Sequence, residues 1–221
     1  MKNKVLLVST AGLLLVLSSC ACPKAAHVGE ETKTTQLGDG VDVTTRDTRT
    51  LLSSGKIAGE ETVLISSRAT VQSINKKDRV LHLRTPQGNT NAVKVGEEVR
   101  NFAQIKVGDE VMIDYYASIV FETREPTATE LALANEGVGG MAARAKLGDK
   151  PAGVAALNTV TIVTVQSIDK TKGTITVVDK AGKATTIKAR YPENLSYIAK
   201  GDKVVASVTE AVAAKVTPLK K

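Results

Sequence analysis

The sequence predicts a mainly β protein made of two tandem small β-barrels, joined by a partly helical Gly/Ala-rich linker. The pentapeptide Thr70-Val71-Gln72-Ser73-Ile74 returns as Thr164-Val165-Gln166-Ser167-Ile168. Beyond each copy apolar residues alternate, Leu81 with Leu83 and Ile175 with Val177, while His82 and Thr176 fall on the opposite face, which is the period of a half-buried strand. Pro86-Gln87-Gly88-Asn89 and Lys180-Ala181-Gly182-Lys183 lie between such runs, where Gly supplies the positive φ of a hairpin turn.

The pentapeptide is the core of a longer repeat. At a shift of 94, Lys76/Lys170, Gly88/Gly182 and Lys94/Lys188 also match, and Asn75/Asp169 is a conservative pair. With one residue dropped the shift becomes 93, and Asn101/Asn194, Ile105/Ile198, Gly108/Gly201, Asp109/Asp202 and Val111/Val204 fall into line. Identities in order with a single gap mark an internal duplication. After each hairpin, 99–105 and 192–198 break the alternation and suit one helical turn, with Phe102 or Leu195 and the following Ile plugging an open end. Asp109 and Asp202 follow Gly in turns, where the carboxylate caps backbone amides. Two last strands are expected at 111–116 and 119–123, and at 204–208 and 212–216. Three strands, a plug and two strands is the order of an OB-like barrel. The repeats are placed at 62–126 and 157–221. Domains of about 60 residues are marginal singly, so the copies are expected to pack on one another.

Residues 1–19 open with Lys2 and Lys4, run apolar from Val5 to Leu17 and end in small residues, the pattern of a secretory signal peptide. The closing Leu17-Ser18-Ser19-Cys20 resembles the lipobox of bacterial lipoproteins. That resemblance implies lipidation of Cys20, a membrane anchor of several acyl chains such as palmitate at about 0.8 kcal/mol per buried methylene, and, with Ala21 rather than Asp next, the outer membrane, facing the periplasm. Cys22 reads as an incidental thiol, and neither cysteine can staple a barrel. Residues 20–61 are polar and rich in Thr, Gly and Asp, and read as a flexible tether reaching roughly 35 Å; 48–54 within it, or 62–66 just after it, could add an edge strand. His27 lies there alone and is given no role.

Between the repeats, 127–156 begins helix-like at Thr129-Glu130-Leu131-Ala132-Leu133-Ala134-Asn135, and Gly137-Val138-Gly139-Gly140 stops it. This glycine run lacks the preceding buried strand and the Gly-Lys-Ser/Thr ending of a phosphate loop, so it reads as connector. The two copies, Val107-Gly108-Asp109-Glu110-Val111, Tyr115-Tyr116, Lys150-Pro151-Ala152-Gly153-Val154-Ala155 and Thr209-Glu210-Ala211-Val212-Ala213 resemble a family of exported proteobacterial proteins with tandem small β-barrels, over roughly 63–218. The resemblance implies a periplasmic setting and transfers no active-site residue.

The side chains present argue against catalysis. A Ser-His-Asp site needs an oriented histidine, and of His27 and His82 the latter alternates with apolar neighbours and is Thr176 in the other copy. Copper(I) would need thioethers, yet beyond Met1 only Met112, in a strand, and Met141, in the linker, exist; zinc lacks a ligand set. Glu97-Glu98 and Asp109-Glu110 do not recur as a full calcium shell. Tyr115, Tyr116, Tyr191 and Tyr197 are scattered and the chain is exported, which argues against nucleic acid. Net charge is +7, or +5 without Lys2 and Lys4; 157–221 carries 11 Lys/Arg against 5 Asp/Glu, whereas 63–126 carries 9 against 8. That surplus is either a soluble surface or a contact for anionic lipid or glycan. The expectation is a non-enzymatic, membrane-anchored envelope lipoprotein that binds or scaffolds another envelope component, needs no cofactor, and has no binding residues or oligomeric state the sequence can name. The alternative is a periplasmic metal or small-ligand carrier related to OB-like efflux accessory domains.

Overall fold

The recurring pentapeptide marks a β-bulge. Strand β3 (Ile57–Asn75) pairs with β4 (Val80–Arg84), and the register slips between Val71 and Ser73; β8 (Ala152–Asp169) pairs with β9 (Thr174–Val178), and it slips between Val165 and Ser167. The extra residue, Gln72 or Gln166, bends the strand, so the β4–β5 hairpin (β5, Thr90–Lys94) and the β9–β10 hairpin (β10, Ala184–Lys188) curl into two lobes. Val71 and Val165 are each 1% exposed at the centres of these lobes. Val71 packs with Leu81, Leu83, Phe102 and Ile105, and Val165 with Ile175, Val177, Leu195 and Ile198. The predicted plugs are 3-10 turns, Phe102–Gln104 and Pro192–Tyr197, and they bury Phe102 and Leu195. The structure, a computed structural model, describes residues 25–218; the expected signal peptide, Cys20 and Cys22 lie outside the described residues, as do 219–221.

The chain is mainly β, but its strands form one open antiparallel sheet, and neither repeat closes into a barrel. The physical reason lies in the last strand of each repeat. The expected pairs of short strands are single long ones, β6 (Asp109–Thr123) and β11 (Lys203–Pro218). Ala117-Ser118 and Thr209-Glu210-Ala211 contain neither Gly nor Pro, so nothing turns the chain there. Each strand runs on, and the two pair with each other along the whole length of β6.

Two further strands lie where the tether was expected. β1 (Gly29–Gly38) and β2 (Val41–Leu51) form a hairpin around Gly38-Asp39-Gly40, all three at positive φ, and β2 pairs with β3. Thr32, Thr34, Thr35, Thr44, Thr45, Thr48 and Thr50 are β-branched, which favours strand, yet polar on both faces, which hides the alternation. Of the linker, helix α1 (Ala128–Glu136) forms as expected, with Thr127 and Glu130 making a capping box. The glycine run expected to be connector is instead strand β7 (Val138–Arg144), paired to β8.

The sheet is pseudo-symmetric. The β6–β11 register sets Ala117 opposite Glu210, which are the same position of the repeat at a shift of 93, so a local two-fold passes between them. Thr70 faces Glu110 in one copy and Thr164 faces Lys203 in the other, again equivalent positions. The outer strands β2 and β7 correspond as well. Lys56-Ile57-Ala58-Gly59 and Lys150-Pro151-Ala152-Gly153 share three residues at a shift of 94, which extends the duplication to the start of β3 and β8. The two lysines then reach across. Lys56 Nζ lies 2.6 Å from Asp202 Oδ2, and Lys150 Nζ bonds Asp109 Oδ2. As expected, both aspartates also accept turn amides, Asp109 from Lys106 N–H at 2.7 Å and Asp202 from Ala199 N–H at 2.8 Å. Each repeat thus fastens the other's turn.

Candidate functional site

The register fixes which side chains share a face of the central strands. The row Thr45, Val63, Ala117, Glu210, Leu157 and Gly140 lies on one side. The lobe cores use the same side, through Ala69, Val71, Val111 and Val216 at one end and Val163, Val165 and Val204 at the other. Both lobes therefore overhang one face, and the sheet between them forms a floor. From Ile113 to Phe121 along β6 that floor is about 26 Å long at ~3.3 Å per residue, and about 24 Å across from β2 to β7 at ~4.8 Å per strand.

The floor is apolar and open. Ile113 is 41% exposed, Ile119 48%, Leu157 53% and Val212 47%, with Val63, Ile65, Tyr115 and Val208 half-buried between them. An apolar patch of this extent, rimmed by polar groups, is what an interaction surface looks like. The opposite face holds a polar ladder at its middle, with Asn158 Nδ2 donating to Ser207 Oγ at 3.1 Å and Thr209 Oγ1 at 2.9 Å, and Ser118 Oγ donating to Glu60 at 3.4 Å. Helix α1 lies beside its β8 end, where Leu131, Ala134, Val160 and Ile162 line a shared cleft. Glu210, at the pseudo-dyad, puts one exposed carboxylate at the centre of the apolar floor.

One margin of the floor is a buried charge cluster that ties β2 to the second lobe. Arg49 and Asp47 are each 5% exposed; Arg49 Nη1 lies 2.9 Å from Asp47 Oδ1, and Nη2 bonds Glu61. The Arg49 guanidinium lies 5.1 Å from the Phe121 ring centre and 5.4 Å from that of Tyr191, and Arg190 Nη1 sits 3.2 Å from Asp47 Oδ2. Burial pushes the Asp47 carboxyl above its ordinary pKa, against the lowering pull of Arg49 and Arg190. Gly59 makes room, since a Cβ there would come within 2.7 Å of Arg49 Cδ and 2.8 Å of Phe121.

His27, given no role from sequence, fixes the incoming chain to the second lobe. Its ring stacks on Tyr191 at 3.8 Å, its N–H donates to Asn194 Oδ1 at 2.7 Å, and its C=O accepts from Asn194 Nδ2 at 3.0 Å. His82 lies half-buried on β4 of the first lobe, so the two histidines stand on different lobes. Met112 lies in β6 and Met141 in β7. Among the described residues no three or more His, Cys, Asp or Glu side chains are placed to hold a metal ion. Four of the second repeat's basic side chains are engaged within the molecule: Lys172 with Asp169, Lys203 with Glu125, Lys180 with Asn135 and Arg190 with Asp47.

Ile113, Tyr115, Ile119, Val208 and Val212 fall within strands expected from the sequence, whereas Leu157 falls in none of them. What the sequence did not show is that they line an open surface instead of a barrel interior. Comparison of the chain with protein-family models, with curated proteins and with solved structures returned no match.

Proposed function

We propose that the protein is a membrane-anchored envelope lipoprotein that works as a non-enzymatic binding module, with the apolar floor between its lobes as the binding surface. The observation that carries this reading is the exposure of Ile113, Ile119, Leu157 and Val212 together on one side of a sheet whose lobes leave that side open. Each of these four side chains is about half exposed, so a partner that covered it would gain roughly half of the full burial value, about 0.7–1.5 kcal/mol. In this reading each lobe is an opened-out OB-like unit, the anchor is Cys20 in the outer membrane, and the chain faces the periplasm. Ala26 N–H donates to Tyr197 Oη at 3.0 Å. Six residue steps separate Cys20 from Ala26, so the second lobe would stand within about 22 Å of the anchor, at ~3.6 Å per residue.

Two measurements test it. Radiolabelled palmitate should enter the full chain and be lost in Cys20→Ala. A photo-crosslinking residue at Leu157, on the floor, should capture an envelope protein, whereas the same group at Arg68, on the opposite face, should not. Equal capture at both positions, or none at Leu157, would remove the floor as the binding surface. An unlabelled chain would remove the anchor.

A further inference from the structure

The pseudo-symmetry is broken at the outer strands, and on one side this leaves an open backbone edge. On one side of the sheet β2 is covered by β1; on the other, the equivalent strand β7 pairs, among the described residues, only with β8. Every side chain of β7 is exposed, Val138 at 62% and Met141 at 72%. An uncovered edge is usually guarded by charge. The outer edge of β1 has Glu30, Glu31 and Lys33; β7 reads Val-Gly-Gly-Met-Ala-Ala-Arg, with one charge at its last residue.

The hydrogen-bonding parity of β7 says what fits. Ala145 N–H donates to Ala152 C=O, so in the alternation of an antiparallel ladder residues 139, 141 and 143 point their backbone groups at β8. Val138, Gly140, Ala142 and Arg144 therefore point theirs outward. We propose that this edge takes a second copy of the chain, β7 against β7 in antiparallel register about Met141. That register pairs Val138 with the partner's Arg144 and Gly140 with the partner's Ala142, so all four outward residues are satisfied in both copies. No like charges meet, because the single Arg144 falls opposite Val138. The two-fold closes the assembly, whereas β7 against the partner's β1 would leave edges free to add further copies. It repeats between chains the antiparallel join that β6 and β11 make within one, and it would merge the two apolar floors. This inference stands apart from the proposed function, since it rests on the edge and not on what the floor binds.

Cysteine trapping in the full chain with Cys22→Ser tests it. Met141→Cys places the thiol at a non-hydrogen-bonded pair, the closest kind, with Cβ atoms about 4.5–5.5 Å apart. It should yield at least about tenfold more disulfide-linked dimer than Thr32→Cys at the middle of β1, because a disulfide forms only within a narrow Cα separation. Ala142→Pro, which deletes an outward N–H and spares the β7–β8 ladder, should lower the yield from Met141→Cys. Equal yields at 141 and 32, an undiminished yield with Ala142→Pro, or preferential linkage of Met141→Cys chains to Thr32→Cys chains in a mixture would overturn the proposal.

Discussion

If each repeat fastens the other, the two lysine–aspartate pairs are coupled across repeats and nowhere else. Four double-mutant cycles test this, with each lysine changed to Met and each aspartate to Asn, and stability read by urea unfolding. Asn still accepts the turn amide, so the substitution isolates the charge. The Asp109 side chain is 6% exposed, and Lys150, 24% exposed, also donates to Gln104 C=O at 2.8 Å. The Asp202 side chain is 20% exposed and Lys56 32%. Exposed pairs contribute about 0.2–1 kcal/mol and hydrogen bonds to a buried charge about 1.5–3 kcal/mol. The coupling should therefore be about 2 kcal/mol for Lys150–Asp109 and about 1 kcal/mol for Lys56–Asp202. The within-repeat cycles, Lys56 with Asp109 and Lys150 with Asp202, should be additive to about 0.3–0.5 kcal/mol. Coupling within the repeats instead of between them would refute the crossed arrangement.

Other perturbations follow from the same geometry. Arg49→Met leaves buried Asp47 with half-exposed Arg190 as its remaining cation and should cost about 3 kcal/mol, the low end for a broken buried pair, against less than about 1 kcal/mol for exposed Arg46→Met, by the same unfolding measurement. Val71→Ala and Val165→Ala, at equivalent centres, should each cost about 2–3 kcal/mol, from ~0.8 kcal/mol per methylene plus a cavity term; a marked inequality would mean the lobes are not equivalent. Burial pulls the Asp202 carboxyl upward, but the hydrogen bonds from Lys56 Nζ and Ala199 N–H and the lysine's charge outweigh it, so its pKa lies below the ordinary value. Its stabilising contribution is thus complete above the unfolded pKa of about 4 and is lost as pH falls through the lower folded value. The chain carrying Asp202→Asn should lose less stability than the native one between pH 5 and pH 2, read by thermal melts. Glu130, drawn down to about 2 by hydrogen bonds from Arg124 and the Thr127 backbone, should hold its ionised cap on α1 down to about pH 3, seen as a Glu130 carboxyl NMR titration midpoint well below 4.5.

Local features of the fold were legible because they depend on local chemistry. The hairpins follow from Gly88 and Gly182, the plugs from Phe102 and Leu195, the amide caps from Asp109 and Asp202, and the helix from the run 129–135. What was illegible is set by pairing at a distance. Ala117-Ser118 looks like a gap between two short apolar runs, and only the presence of β11 alongside makes it the middle of one strand. The β1–β2 hairpin presents Thr on both faces, so composition that suits a coil folds as strand once β3 offers an edge. Lys56-Ile57-Ala58-Gly59 is a readable copy of Lys150-Pro151-Ala152-Gly153, and it points to repeats that begin earlier than the expected 62 and 157. The open floor depends on all of these at once, since closed repeats would have buried Ile119 and Val212.

The central claim is a single sheet joined at the pseudo-dyad. Arg124 N–H donates to Lys203 C=O, so by alternation Ala117 and Glu210 form a non-hydrogen-bonded pair, the close kind that a disulfide can bridge. In a chain carrying both Ala117→Cys and Glu210→Cys, oxidation should give an intramolecular 117–210 disulfide, identified as a linked peptide by mass spectrometry. Two separately closed repeats would leave both thiols free, and that result would contradict the fold described.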